Sequence, residues 1–297
     1  MTPESALVIA SVAGAARDLG LAVAEPVVLH EGANLVLHLA PSPVVVRVAT
    51  LTAEMRGNAV DYLRRERDIL QALREREIDT VRLTELADPG PHNVDGHGFL
   101  LLEHRRLEPV DLDSPEHARA VGSAFVNLSA VLAELPADVA RGDEGHPWAE
   151  IDRLREIAEL TTEASALGTI DRVLQELRAT EPPDPWQVVH GDAHRNNVAF
   201  AVGPDGRSTH PIWFDFEDAN LRPPAWDLAT LLRSWPAAGE TACAELGVDP
   251  QSLTMRWHHE LREIYALLWS RLYANRFSIH EKPASKRLKE WQTAHQK

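Results

Sequence analysis

Apolar residues recur along this chain with two different periods, and the change of period divides it. Three short apolar runs, at residues 26–30, 35–39 and 44–49, are separated by Glu31-Gly32-Ala33-Asn34 and by Pro41-Ser42-Pro43. Runs of that length between turn residues predict an antiparallel meander. A helical spacing follows over residues 52–77, where Ala59, Tyr62, Leu63, Ile69, Leu70 and Leu73 share one side and charges fill the other. Residues 81–86 and 99–103 are expected as two more strands around the turn-rich stretch from Asp88 to Gly98, which brings the sheet to five. Residues 104–113 are polar, contain Pro109 and read as a linker.

From Ser114 onward the helical period dominates. Ser114-Pro115-Glu116 combines a cap, a first-turn proline and an acid at the positive helix end. The helix it opens should run to Leu135, with others over 147–160, 162–179, 228–234 and roughly 251–277, then a charged tail. Short strands are expected before His190, over 197–202 and over 211–214. A helix is also expected at the start, with Thr2 as its cap and Pro3 in its first turn. The pattern predicts an α+β fold: a sheet-rich part over 1–103, a linker over 104–113 and a mainly helical part over 114–297.

Composition narrows the class. The chain has 297 residues, 44% apolar and 25% charged, which is ordinary for one large or two modest globular domains. Its single cysteine, Cys243, permits no internal disulfide. The first residues carry no positive n-region, and Arg17 and Asp18 break the first apolar run well short of a bilayer span. A cytoplasmic protein without a membrane segment is the expectation. The net charge of −15 argues against a nucleic-acid partner, because that binding depends on clustered Lys and Arg. It favours a cationic ligand at long range, although its main effect is solubility.

The chemistry is concentrated in His190-Gly191-Asp192-Ala193-His194-Arg195-Asn196-Asn197, answered by Phe214-Asp215-Phe216-Glu217. Each piece follows an apolar run of strand character, and the hairpin between them would bring one Asp, one Asn and a second Asp together. Mg²⁺ takes hard oxygen ligands, few of them from protein when a nucleotide is bound. Asn197 and Asp215 supply two such oxygens, and Asp192 is left to accept the proton of an acceptor hydroxyl or to orient it. Asp and Asn also bind turn amides; taken jointly, the three residues favour the functional reading.

This block resembles the aminoglycoside phosphotransferase and choline kinase family, small-molecule kinases with a protein-kinase-like fold. The resemblance implies a bilobal protein with a nucleotide-binding lobe over 1–103, a hinge over 104–113 and a catalytic and acceptor-binding lobe over 114–297. It places the catalytic base on Asp192 and the Mg²⁺ ligands on Asn197 and Asp215, with His190 and Asp227 as structural support for the loop. It implies further that the turn at Gly32 and Asn34 covers the phosphates of ATP or GTP. Arg47 would touch those phosphates, aimed by Glu66, and the hinge backbone from Glu103 to Arg105 would read the base.

The gap from Asp215 to Asp227 is too short for a peptide platform, so a small hydroxylated acceptor is expected. Asp143, Glu144, Glu150 and Asp152 could face an aminated one, such as an aminoglycoside or amino sugar. The eight tryptophans, all from Trp148 onward, are expected mainly in helix cores. Two rivals remain at this point. One is a catalytically silent nucleotide-binding pseudokinase. The other is a metal-dependent phosphoesterase, suggested by Asp192-Ala193-His194 and requiring further boxes such as Asp218-Ala219-Asn220 and His258-His259.

Overall fold

Strand β3 (Val44–Ala49) is buried along its whole length, and its alternation organises the N-terminal part. It pairs on one side with β2 (Asn34–His38), itself paired to β1 (Val27–Glu31), and on the other with β5 (His97–Glu103), whose far edge carries β4 (His92–Val94). All pairs are antiparallel. Successive side chains leave a strand on opposite faces. Val44, Val46 and Val48 accordingly join Val8, Val12 and Ala16 of helix α1 (Pro3–Asp18). The opposite face sends Val45 against Ile69, Leu70 and Leu73 of α3 (Ala59–Glu75), while Ala49 meets Leu63. Arg47 lies between Val45 and Ala49, so the pleat alone aims it at α3.

The structure is a computed structural model and describes residues 3–56, 59–140, 147–159 and 162–296. Thr2, Asp143 and Glu144 lie outside the described residues. The single helix expected over 52–77 is described as α2 (Leu51–Arg56) and α3.

One expected strand is corrected. Residues 81–86 form no ladder: they lie along β5 through single bonds, Glu103 N–H to Arg82 O at 2.8 Å and Thr84 N–H to Leu101 O at 3.1 Å. Pro89 O takes the Leu101 amide at 3.0 Å. The chain then turns, and the fifth strand comes from the stretch expected as loop. There β4 and β5 form a hairpin whose two turn residues, Asp95 and Gly96, both have positive φ, the geometry of a type I′ turn.

The C-terminal part holds α4 (Pro115–Ala133), α5 (Pro147–Glu159), α6 (Ala164–Ala179), α7 (Ala225–Ser234), α8 (Pro236–Leu246), α9 (Leu253–Arg276) and α10 (Glu281–Ala294). Ser114 caps α4, its hydroxyl accepting the His117 amide at 3.2 Å. Two small antiparallel sheets sit among the helices. One pairs β7 (Gln187–Val189) with β10 (Asn220–Arg222). The other orders β6 (Leu107–Pro109), β8 (Val198–Val202) and β9 (Ser208–Trp213). Since β6 falls within the expected linker, that segment is sewn to β8 rather than free.

Two helices go beyond the sequence reading. The turn residues after Ser234 hide α8, and the tail expected only as charged is α10, which buries Ala284, Leu288 and Trp291 at helical spacing. Trp148, Trp213, Trp226, Trp235, Trp257 and Trp291 are buried, whereas Trp186 is exposed and Trp269 lines a cleft. No described helix is long and apolar enough to cross a membrane. The architecture is α+β, a five-stranded antiparallel sheet followed by a mainly helical part, with a cleft of about 1110 Å³ between them.

Candidate active site

The loop after β7 is fixed from behind before it presents anything to the cleft. Asp227, in the first turn of α7, accepts the amides of His190 at 2.7 Å and Gly191 at 2.9 Å. The Trp226 indole N–H donates to Gly191 O at 2.7 Å. His190 is fully buried, its Nδ1 accepting the Asp192 amide at 3.4 Å and its Nε2 lying 3.0 Å from Phe214 O. That pattern suits a neutral ring with the proton on Nε2, and burial draws its pKa below the usual histidine value. The Asn197 side-chain N–H donates to Asp192 O at 3.0 Å, which leaves the amide oxygen for a ligand. The Phe214 amide donates to Asn197 O at 3.0 Å. The β8–β9 hairpin thereby brings Asp192, Asn197 and Asp215 to one cleft.

His190 gives a pH prediction. Its folded-state pKa lies below the unfolded value near 6.5, as does that of buried His258. The unfolded chain therefore binds more protons in that range, and stability should fall as pH drops below about 6.5. Melting temperatures between pH 8 and 5.5 should show this slope. His190→Gln should flatten it; an unchanged slope would remove His190 as a source.

Asp215 sits in the left-handed backbone region, φ 69° and ψ 62°, where a residue with a side chain is strained. Its carboxylate is 31% exposed and lies 2.5 Å from Arg47. Arg47 is almost fully buried and is shared among three carboxylates: Glu66 of α3, Asp215, and Glu217 at 2.8 Å. Burial pushes the Asp215 carboxyl up and Arg47 pulls it down, but Glu217 and Asp192 repel it and leave it raised. Asp192 differs. Burial would raise it, yet His194, Arg262 and His190 outweigh that and hold it at about 2. Arg262 of α9 donates to Asp192 at 2.7 Å, and His194 Nε2 lies 3.3 Å from the other carboxylate oxygen.

A divalent cation fits this arrangement. Hard oxygen donors from Asn197 and Asp215 face the cleft, and the surplus negative charge that raises Asp215 is what such an ion neutralises.

Other expected residues are placed differently. Gly32 lines the cleft, but its amide donates to Asn34 O at 3.0 Å, and the Ala33 amide donates to the Tyr273 hydroxyl at 2.9 Å. Asn34 also lines the cleft, its side chain donating to Glu217 at 3.0 Å and accepting from Thr52 at 2.9 Å. Glu103 and Arg105 line the cleft, with the Arg105 guanidinium held by Asp79 at 2.6 and 2.9 Å. Two of the acids expected to face an aminated acceptor are elsewhere. Glu150 is buried against Arg222 and the Tyr265 hydroxyl, and Asp152 pairs with Arg178 on the surface. His258, required by the phosphoesterase rival, is paired with Asp184 at 2.9 Å outside the cleft lining.

Several residues of the site had no role assigned in the sequence reading. Glu217 carried a signal, since an acid two positions after Asp215 shares its turn. Arg233, Arg262 and Tyr273 reach the cleft from helices and carry no local motif.

Three comparisons bear on this geometry. Residues 31–263 match the profile of the family described as "Phosphotransferase enzyme family". No curated protein matches the chain. Among solved structures, the GDP complex of wild-type aminoglycoside 2'-phosphotransferase-IIIa is 15% identical and superposes with a TM-score of 0.68 over 96% of this chain and 97% of its own. Amicoumacin kinase hAmiN, solved with AMP-PNP, Ca²⁺ and Ami, gives 16%, 0.70, 99% and 96% in the same order. A choline/ethanolamine kinase family protein from Mesorhizobium loti gives 14%, 0.65, 97% and 95%. At such identities the structural likeness speaks for the kinase-like fold, and the profile match over most of the length speaks for descent. The chain belongs to the phosphotransferase enzyme family and is a phosphotransferase acting on a hydroxyl group.

Proposed function

We propose that this protein transfers the γ-phosphoryl group of a magnesium-bound ATP or GTP to the hydroxyl of a small acceptor. The observation that carries the reading is the convergence of Asp192, Asn197 and Asp215 on one cleft beneath the Gly32–Asn34 turn. Asn197 and Asp215 would hold Mg²⁺, which when bound neutralises charge on the phosphates. Arg47, oriented by Glu66, would meet the phosphates by giving up its contact with Asp215. The backbone from Glu103 to Arg105 would meet the base.

With a pKa of about 2, Asp192 is ionised at neutral pH. It is a weak base in the ground state, so its first task is to accept the acceptor's hydroxyl hydrogen bond and hold that oxygen in line. The proton follows as the oxygen becomes acidic during transfer, in keeping with the loose transition state of such reactions. The span from Asp215 to Asp227 is occupied by a short turn, by β10 paired to β7, and by the start of α7. This supports a small molecule rather than a peptide.

The test is ADP or GDP release across a panel of hydroxylated compounds, with choline included because one structural neighbour is a choline/ethanolamine kinase family protein and kanamycin because another was solved in complex with it. In the same assay Asp215→Asn should raise the Mg²⁺ concentration for half-maximal rate at least about tenfold. An unchanged metal dependence would exclude Asp215 as a ligand.

A further inference from the structure

The end of the cleft beyond Asp192 has a different chemistry from the nucleotide end. Among the described lining residues, none after Asp218 is acidic, and three are arginines: Arg233 of α7, Arg262 of α9 and Arg287 of α10. Arg262 has a side chain only 1% exposed, spends one nitrogen on Asp192 at 2.7 Å and stacks over the rings of Trp226 and Tyr265 at 4.5 and 4.6 Å. Its Nε and Nη1 are buried with no hydrogen-bond partner. Arg287 is held by Glu263 at 2.7 Å.

Arg233 is the exception among them. Its side chain is 15% exposed, its buried Nε has no partner, and its nearest carboxylate is Glu263 at 3.9 Å, already committed to Arg287. Burial, with repulsion from Arg262 and Arg287, draws its pKa down to about 10. Glu263 and Asp192 attract it only in part, and a buried cation held near two others with its Nε–H unpaired is stabilised when an anion completes it. Next to the arginines, Trp269 and Tyr273 of α9 and Phe277 just beyond its end form an aromatic wall.

We infer that Arg233, with Arg287 and Arg262 beside it, binds a carboxylate or phosphate group on the acceptor itself, whose ring or apolar body lies along the aromatic wall. The inference rests on the kinase reading and narrows its acceptor to an anionic hydroxylated compound. It runs against the aminated acceptor expected from sequence. A polycation would meet three guanidiniums where it would need carboxylates, and the chain's overall charge of −15 is screened beyond about 8 to 10 Å. An Arg cluster is also suited to planar or tetrahedral oxyanions through paired N–H donors.

The test uses the full chain saturated with Mg²⁺ and ADP, so that the nucleotide's phosphate contacts are already filled. Gluconate and 3-phosphoglycerate are titrated against the uncharged sorbitol and the cationic glucosamine, followed by melting temperature. The anions should raise it by a few degrees, sorbitol and glucosamine should not, and Arg233→Met should abolish the response. Arg233→Lys should restore it in part, and Arg287→Met, at a more exposed position, guards against a folding defect at Arg233. In turnover, acceptors matched but for one anionic group should differ by at least about tenfold in kcat/KM. Arg233→Met should erase the difference through KM.

Anions without effect, or an equal effect in Arg233→Met, would overturn the assignment while Mg²⁺–ADP still binds. So would an equal loss of turnover on anionic and neutral acceptors, which would assign Arg233 to the transferring phosphoryl group. Failure of the kinase reading looks different: no binding of Mg²⁺–ADP and no ADP release with any acceptor, whatever the anions do.

Discussion

Exchanging Asp192 for alanine is expected to lower turnover by about 10²-fold or more while nucleotide binding persists, read by ADP release and by calorimetric titration of the nucleotide. The variant has a second consequence. Arg262, deeply buried, loses its hydrogen-bonding partner, and a buried charge left alone costs about 3 to 5 kcal/mol. Asp192→Asn separates the two effects, because its amide oxygen can still accept from Arg262 while the negative charge facing the hydroxyl is gone. It should lose less stability than the alanine variant, because the hydrogen bond survives although the charge pair does not, and be nearly as slow.

Acid sensitivity can be worked out for the same residue. Its folded-state pKa of about 2 lies below the ordinary 3.8. Its stabilising contribution is therefore complete above about pH 4 and is lost only as pH falls through about 2. Turnover of either variant at the wild-type rate would remove Asp192 from the reaction.

Gly191→Ala is expected to be the most damaging single methyl group in the chain. Gly191 has φ +87°, and a Cβ there would lie 1.9 Å from Asp218 O. Neither side can yield easily: the Gly191 amide is held by Asp227, its carbonyl by Trp226, and Asp218 belongs to the turn that carries Asp215. Strain of left-handed backbone, about 1 to 2 kcal/mol, adds to overpacking of about 1 to 3 kcal/mol, and the displaced loop should lose nearly all activity. Gly247→Ala is the control. It has φ +65° with nothing within 4 Å of the added Cβ, so it carries the backbone strain without the clash. Equal melting temperatures for the two variants would show that the Asp218 contact does not fix the loop.

The sequence revealed most where a short segment contains its own cause. The apolar run of 44–49 between turn residues gave the central strand, while the pairing of Arg47 with Glu66 came from the family resemblance. Ser114-Pro115-Glu116 gave the start of α4. The loop after β7 was readable because His190, Asp192 and Asn197 lie within eight residues. The fourth strand was misplaced because Val81–Leu86 is apolar enough for a strand, while the better signal, Asp95-Gly96 as a two-residue turn, lay between polar residues. Helix α10 was hidden by charge, its three buried residues being outnumbered by exposed ones.

The arginine-lined end of the cleft was invisible for another reason. Arg233, Arg262 and Arg287 come from three helices, and a single arginine on a helix reads as a solvated one. Only packing shows that they share a space. The acids near Glu150 misled in the reverse sense, since nothing local tells a carboxylate buried on Arg222 from one facing a ligand.

The seam between the two halves has a mechanical consequence. The Thr80–Trp213 bridge, with Asp79 bound to His210 at 2.7 Å, is one attachment; the pairing of β6 with β8, continued by Val202 N–H to Arg106 O at 3.1 Å, is another. Two fixed points define an axis. Sliding one half across the other would tear both, and a swing about the line through them has to stretch the ties that cross beside the site: Arg47 to Asp215 and Glu217, Asn34 to Glu217 at 3.0 Å and Arg65 to Ala219 O at 3.0 Å. At the opposite edge the Ala33 amide bonded to the Tyr273 hydroxyl is one more such tie, so the two halves part only when several contacts are released together.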